Sequence, residues 1–259
     1  MDLGLKDRLA LVTGGSKGIG YAIAEHLAAE GCNVIIVARD AADLEAARKR
    51  ITDQFSVEIQ VRSADLSSDA AMRSLAADFP GIDILVNNAG AIRDGSIEEV
   101  DDATWRSYWD LKVFGYISLT RAYYTLMKAR GRGVIINIIG IAGERMRAGY
   151  IAGSTGNASL IALTKALGAD APDHGVRVVG INPGPVMTEK LMMTLRRNAR
   201  NRFGDEERWP ELTKSMPFGR TIKPVEVTAQ VALLASDLAG YTSGTVINID
   251  GGRMHKNKY

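Results

Sequence analysis

The sequence predicts an α/β protein: a doubly wound, parallel, seven-stranded sheet in a single domain, residues 1–259, with an inserted helical lid over 189–217. Three observations predict it. Short apolar runs alternate with stretches of helical spacing along the whole chain. The apolar runs lack a polar face, as strands covered by helices on both sides require. The length of 259 residues fits one large α/β domain better than two small ones.

Residues 9–12 are an apolar run that ends at a glycine turn. Residues 19–30 have helical spacing and stop at Gly31, a helix-terminating glycine. Residues 34–38 form a second apolar run, 44–51 an amphipathic helix, 57–61 a third strand and 70–79 a third helix. A fourth strand is expected over 82–86, then a long helix over 103–129. Strands at 134–138 and 176–181 flank a helix at 158–171. A last helix spans 225–238 and a last strand 246–249. The stretch 189–217, rich in Met, Arg, Asn and Glu, breaks this rhythm and is expected to be the lid.

Composition narrows the function classes. Basic residues number 32 and acidic residues 30, a net charge of +2, which points to no nucleic-acid or anionic-membrane partner. The single cysteine, Cys32, allows no disulfide framework within the chain. No apolar run approaches the roughly 20 residues of a membrane span. The charged first residues do not resemble a signal peptide. A soluble, cytoplasmic protein is expected. His26, His174 and His255 lie far apart and give no metal-ligand spacing, so no metal is expected.

Thr13-Gly14-Gly15-Ser16-Lys17-Gly18-Ile19-Gly20 joins the first strand to the first helix. Glycines there let the backbone approach a pyrophosphate, and the helix N-terminus presents free N–H groups to it. That placement predicts a dinucleotide site. An NAD site usually carries an acidic residue at the end of the second strand. Here Arg39 stands at that point, with Asp40 one place later and Lys17 in the turn. Two cations facing the ribose favour a 2′-phosphate, so NADP is preferred over NAD, although Asp40 leaves NAD open.

Five segments together resemble the short-chain dehydrogenase/reductase family: the glycine turn at 13–20, Asp65-Leu66, Asn87-Asn88-Ala89-Gly90, Asn182-Pro183-Gly184-Pro185-Val186-Met187-Thr188, and Asp250-Gly251-Gly252. They fall in order at successive strand ends across nearly the whole chain. The resemblance implies a Rossmann-type fold and an NAD(P)-dependent oxidoreductase acting on a small molecule. It implies that Gly14, Ser16, Lys17, Gly18, Ile19 and Gly20 cradle the phosphates. Asp65 would bind the adenine amino group, with Leu66 beside the ring. Asn88, Ala89 and Gly90 would line the adenosine ribose. Pro183, Gly184, Val186 and Thr188 would hold the nicotinamide. It also implies a homotetramer or homodimer through the helices at about 103–129 and 155–171, where Ala158, Ala162, Ala166 and Ala169 offer small side chains.

The same resemblance exposes a gap. The family's usual proton donor is a tyrosine followed four residues later by a lysine, with a serine and an asparagine nearby. In this register the serine position holds Gly140, the tyrosine position Gly153, the lysine position Asn157 and the asparagine position Lys112. Three readings stand at this point. In the first, Tyr150, Lys112 and Ser154 restore a phenol, a cation and a hydroxyl, giving an oxidoreductase with an atypical active site. In the second, the dinucleotide is a prosthetic group for a lyase or dehalogenase, and Arg145 and Arg147 grip a carboxylate or phosphate. In the third, the protein binds the dinucleotide without catalysis.

Overall fold

The computed structural model describes residues 1–255. The apolar runs become seven parallel strands: β1 (Leu9–Thr13), β2 (Asn33–Ala38), β3 (Ile59–Ser63), β4 (Ile84–Asn87), β5 (Gly133–Ile138), β6 (Val176–Pro183) and β7 (Val246–Ile249). Their order is β3-β2-β1-β4-β5-β6-β7. The chain therefore winds outward in one direction from β1 to β3 and in the other from β4 to β7. The reversal falls between β1 and β4, where an open α/β sheet leaves a crevice beyond its strand ends.

Neighbouring residues of each strand feed opposite faces of the sheet. Val12 and Ile36 pack with Ile23 and Leu27 of α1 (Gly18–Ala29) and Val231 of α9 (Pro224–Ala235). Leu11 and Ile35 face the other way, onto Leu75 of α3 (Asp69–Asp78) and Leu119 and Tyr123 of α5 (Gly115–Arg130). Each fully buried Leu or Ile contributes about 1.5–3 kcal/mol. The remaining helices are α2 (Ala41–Thr52), α4 (Asp102–Trp109), α6 (Ile151–Asp170), α7 (Glu189–Phe203) and α8 (Trp209–Thr213). The segment 189–217 is helical as expected, carrying α7 and α8.

Two elements differ from expectation. The helix expected at 158–171 begins seven residues earlier, at Ile151. Gly153, Ser154, Thr155, Gly156 and Asn157 are weak helix formers, so the first turns rest on packing instead. Trp109 donates from Nε1 to the carbonyl of Ala152 at 3.0 Å. A Cβ on Gly156 would stand 3.1 Å from Val113 and 3.2 Å from Trp109 Nε1, so a larger residue would push these neighbours back by a few tenths of an ångström. The helix expected over 103–129 is interrupted by a π-helical turn at Asp110–Phe114. Such turns rotate the side chains they carry and are frequent at functional sites; this one carries Lys112.

A buried polar network buckles the sheet centre. Asn87 on β4 donates to Asn137 on β5 at 2.9 Å and to Thr120 on α5 at 3.1 Å. Asn137 in turn donates to Thr164 on α6 at 2.9 Å. Fully buried amides of this kind fix one register because misplacing either leaves an unpaired polar group.

Candidate active site

The C-terminal ends of β1, β4, β5 and β6 open on one cleft of about 1150 Å³. Gly14, Lys17, Gly18 and Ile19 line one end, and Asn88, Ala89 and Gly90 the wall beside it. Pro183, Gly184 and Thr188 lie opposite, and Lys112, Gly140, Tyr150 and Asn157 farther along. Most of the residues singled out in the sequence are thus brought together.

The glycine turn is shaped by close approach. A Cβ on Gly20 would collide with the Gly14 carbonyl and lie 2.5 Å from Nδ2 of Asn88. That Nδ2 donates to the carbonyl of Thr13 at 2.9 Å. Thr13 Oγ1 accepts from the backbone N–H groups of Asn88 and Ala89 at 2.8 and 3.0 Å. The Asn88 segment therefore props the turn. No side chain caps α1, and its first turn holds no acid. An uncapped helix start facing a cleft suits a pyrophosphate. Gly20 is buried in the helix packing and Ser16 is buried beneath the turn, so neither lines the cleft.

The ribose end is more mixed. Lys17 pairs with Asp43 at 2.7 Å, and Asp40 accepts from the Asp43 N–H as the cap of α2. Arg39 is exposed and has no ion-pair partner among the described residues. Asp65 accepts from the N–H and Oγ of Ser67 at 3.1 and 2.8 Å. Those bonds hold its pKa below the usual carboxylate range, with the nearby Arg39 charge adding to them. Leu66 is buried against α3 and α5, and Val186 is buried beside Ile222, both outside the cleft lining.

At the other end, Gly140 sits at φ +126°, a region that side-chain-bearing residues rarely adopt. A Cβ on Gly153 would collide with the edge of the Tyr150 ring, at Cε1 and Cζ, and lie 2.6 Å from the hydroxyl. The Tyr150 phenol thus fills the space above Gly153. Burial first, and then Asp94, push its pKa above 10, against the opposing charge of Arg147. Asn157 is buried; its amide donates to the Gly140 carbonyl at 3.4 Å, while its Oδ1 has no partner among the described residues. An unpaired buried oxygen on the cleft wall suits a ligand hydroxyl.

Lys112 reaches in from the π-helical turn. Its Nζ donates to the carbonyls of Ile138 and Ile139 at 2.9 and 3.2 Å and to the Tyr116 hydroxyl at 3.1 Å. Burial lowers its pKa to about 7. Because the unfolded chain keeps the ordinary value of 10.5, it binds more protons between the two, and this group's contribution to stability rises with pH over that window. Comparing melting temperatures of the wild type and Lys112→Met from pH 7 to 9 checks this. The wild type is expected to gain on the variant as pH rises; a constant difference contradicts the shift. Ser154 is engaged elsewhere. It accepts from the Arg147 N–H at 3.0 Å and donates to the Arg147 carbonyl at 3.3 Å, holding the loop before Tyr150 and standing outside the cleft lining.

Sequence reasoning did not find Arg253, which also lines the cleft. Its only local signal is its position after Asp250-Gly251-Gly252, where Gly251 and Gly252 at φ +63° and +78° turn the chain.

Comparison with known proteins accords with this geometry. The sequence model described as short chain dehydrogenase matches residues 8–199. Galactitol 2-dehydrogenase (L-tagatose-forming) of Cereibacter sphaeroides is 36% identical over 94% of this chain and 93% of its own length. Nodulation protein G of Azospirillum brasilense is 34% identical over 96% and 98%. The crystal structure of L-sorbose reductase from Gluconobacter frateurii, complexed with NADPH and L-sorbose, superposes with a TM-score of 0.92 at 31% identity, covering 99% of this chain and 100% of that one. With a seven-stranded parallel sheet, a glycine cradle at its switch point and matches running through almost its full length, this chain belongs to the short-chain dehydrogenase family.

Proposed function

We propose that this protein is an NADP(H)-preferring oxidoreductase with an atypical active site, in which Tyr150 replaces the missing phenol at position 153. The observation that carries the reading is the Tyr150 ring lying in the volume that a side chain on Gly153 would occupy. Glycine at 153 is what leaves room for the phenol in the cleft.

The residues fit a dinucleotide: the uncapped start of α1, the glycine cradle and the unpaired Oδ1 of Asn157 all face the same cleft or support its wall. Gly14, Gly18 and Ile19 would hold its phosphates. Asp65 and Ala89 would border the adenosine, and Pro183, Gly184 and Thr188 the nicotinamide. Asn157 would accept a hydrogen bond from a ribose hydroxyl. When bound, the reduced cofactor supplies the electron pair and hydrogen that a carbonyl carbon takes up. Tyr150 then donates its phenolic proton to the carbonyl oxygen. A phenol is protonated at neutral pH and so starts in the acid form that reduction requires; burial raises its pKa further, and the Arg147 charge opposes that rise. Lys112 places its Nζ in the same cleft, held there by the carbonyls of Ile138 and Ile139. Ser154 keeps Tyr150 in place through the Arg147 backbone.

Arg39 supports the preference for the 2′-phosphate, since Lys17 is tied to Asp43 and Asp40 to its cap. Binding of NADP⁺ and NAD⁺ to the wild type and Arg39→Ala tests it. The variant is expected to lose about tenfold in NADP⁺ affinity, or about 1.4 kcal/mol, and little in NAD⁺ affinity. Tighter NAD⁺ binding by the wild type overturns the preference. Activity is tested by absorbance at 340 nm with a panel of carbonyl substrates. Cofactor-induced thermal stabilisation without turnover of any of them favours the non-catalytic reading over this one.

The segment 189–217 is read as a substrate lid because Glu189, Lys190 and Met193 of α7 face the cleft. Ala162, Ala166 and Ala169 lie exposed along α6, and Phe114 is half exposed before α5, which supports a homodimer or homotetramer through these helices. No helix among the described residues is long and apolar enough to cross a membrane, in keeping with a cytoplasmic setting.

A further inference from the structure

Beyond Tyr150, three guanidinium groups from two distant segments line the same cleft: Arg145 and Arg147 from the loop after β5, and Arg253 from the turn after β7. Arg145 Nη1 donates to the carbonyl of Arg253 at 3.1 Å, which clamps the two segments together. Arg147 pairs with Asp94 at 3.1 Å, an exposed contact at the rim. Neither Arg145 nor Arg253 has an ion-pair partner among the described residues. The nearby Asp250 spends its carboxylate on the N–H groups of Gly252 and Met254. Glu144 accepts from Asn248 instead.

Charge along the cleft is one-sided. Its lining includes Lys17, Lys112, Arg145, Arg147, Lys190 and Arg253, against Glu189 as the one carboxylate of the lining. Lys17 and Arg147 have partners in Asp43 and Asp94, and Lys112 is held by carbonyls, which leaves Arg145, Lys190 and Arg253 without an ion-pair partner among the described residues. Burial and then the like charges of Arg145 and Arg147 lower the pKa of Arg253. Gathering mutually repelling guanidiniums in a partly desolvated cleft costs stability unless an anion joins them. Phosphates at the start of α1 do not answer this need, because that end of the cleft is formed by the glycine turn and the helix N-terminus, whereas the three guanidiniums stand on the segments after β5 and β7. The cleft volume of about 1150 Å³ leaves room for a second ligand beside a dinucleotide.

We propose that Arg145, Arg147 and Arg253 form an anion-binding subsite and that the substrate is an oxo or hydroxy compound carrying a carboxylate or phosphate group. This rests on the reading that the dinucleotide and Tyr150 work in this cleft. The Arg147 guanidinium lies 5.8 Å from the centre of the Tyr150 ring. An anion held there is only a few bonds from the atom that Tyr150 protonates. Planar guanidiniums bind carboxylate and phosphate oxygens through paired N–H groups, whereas a neutral polyol gains little from three cations.

The test is calorimetric titration of malonate and of inorganic phosphate into the protein, free and saturated with NADP⁺. The variants are Arg253→Gln, Arg145→Gln/Arg253→Gln, and Arg73→Gln on the exposed face of α3 as a charge control. The Arg253 side chain makes no hydrogen bond or ion pair among the described residues, and melting temperatures verify for each variant that the fold is kept. Anion binding to the NADP⁺-saturated wild type is expected to weaken at least tenfold in the double variant and to be unchanged in Arg73→Gln. The tighter of the two probes identifies the anion as carboxylate or phosphate. In turnover, Arg253→Gln is expected to raise KM at least tenfold for oxo acids or phosphorylated ketones with little change in kcat. Undiminished anion binding in the double variant overturns the proposal, as does equal kcat/KM for neutral ketones in the wild type. Failure of NADP⁺ to bind, or full turnover in Tyr150→Phe, overturns the catalytic reading instead. Malonate or phosphate binding to the free protein, lost in the double variant but not in Arg73→Gln, still upholds the subsite in that event.

Discussion

Tyr150→Phe is expected to lower kcat by about 10²–10⁴-fold while leaving dinucleotide affinity within twofold, the range over which a positioned general acid acts. The substitution removes one oxygen and keeps the ring. The ring's packing over Gly153 and beneath Arg147 therefore survives, and the loop held by Ser154 is undisturbed. Loss of turnover then reports the missing proton. Gly153→Ala reaches the same phenol from the other side. Its methyl would collide with the ring edge, and the ring is the part able to move, so the hydroxyl is displaced while the helix stays intact. Both changes are read as single-turnover rates at 340 nm beside a binding titration. Turnover in Tyr150→Phe equal to the wild type excludes Tyr150 as the donor.

Gly20→Ala is expected to abolish cofactor-induced stabilisation and to lower the melting temperature of the free protein. The added methyl meets the Gly14 carbonyl and Nδ2 of Asn88. Neither can retreat cheaply. The carbonyl belongs to the turn itself, and the Asn88 amide is spent on Thr13. Overpacking of this kind costs about 1–3 kcal/mol. For a chain of this size each kcal/mol moves the melting temperature by roughly 2–4 °C. The larger effect falls on binding, because opening the turn tilts the start of α1 away from the phosphates. A variant that melts lower yet keeps wild-type NADP⁺ affinity shows that the cradle tolerates the opening.

The sheet was legible because buried parallel strands are apolar on both faces. Residues 9–12, 34–38 and 134–138 announce themselves without any partner, and glycines mark where they stop. The glycine turn was legible for the same reason: its shape is carried by backbone within a single segment. The far end of the cleft was legible only in part. Arg145 and Arg253 meet across 108 residues, and no local pattern encodes that meeting. The start of α6 was hidden because its residues have poor helix propensity and hold their shape only against Trp109 and Val113. Lys112 was placed near the cleft by its register, but the carbonyls that receive it and the burial that lowers its pKa are tertiary facts.

Gly140 bears on the history of the chain. At φ +126° its backbone lies where a serine would be strained by about 1–3 kcal/mol. The hydroxyl that the family resemblance leads one to look for cannot return by a single substitution, since the first step brings strain before any gain. Reversal has to begin with the loop around 141–147 and only then change residue 140. On the proposed reading, residue 140 is thus held by the main chain as well as by the identities of its neighbours.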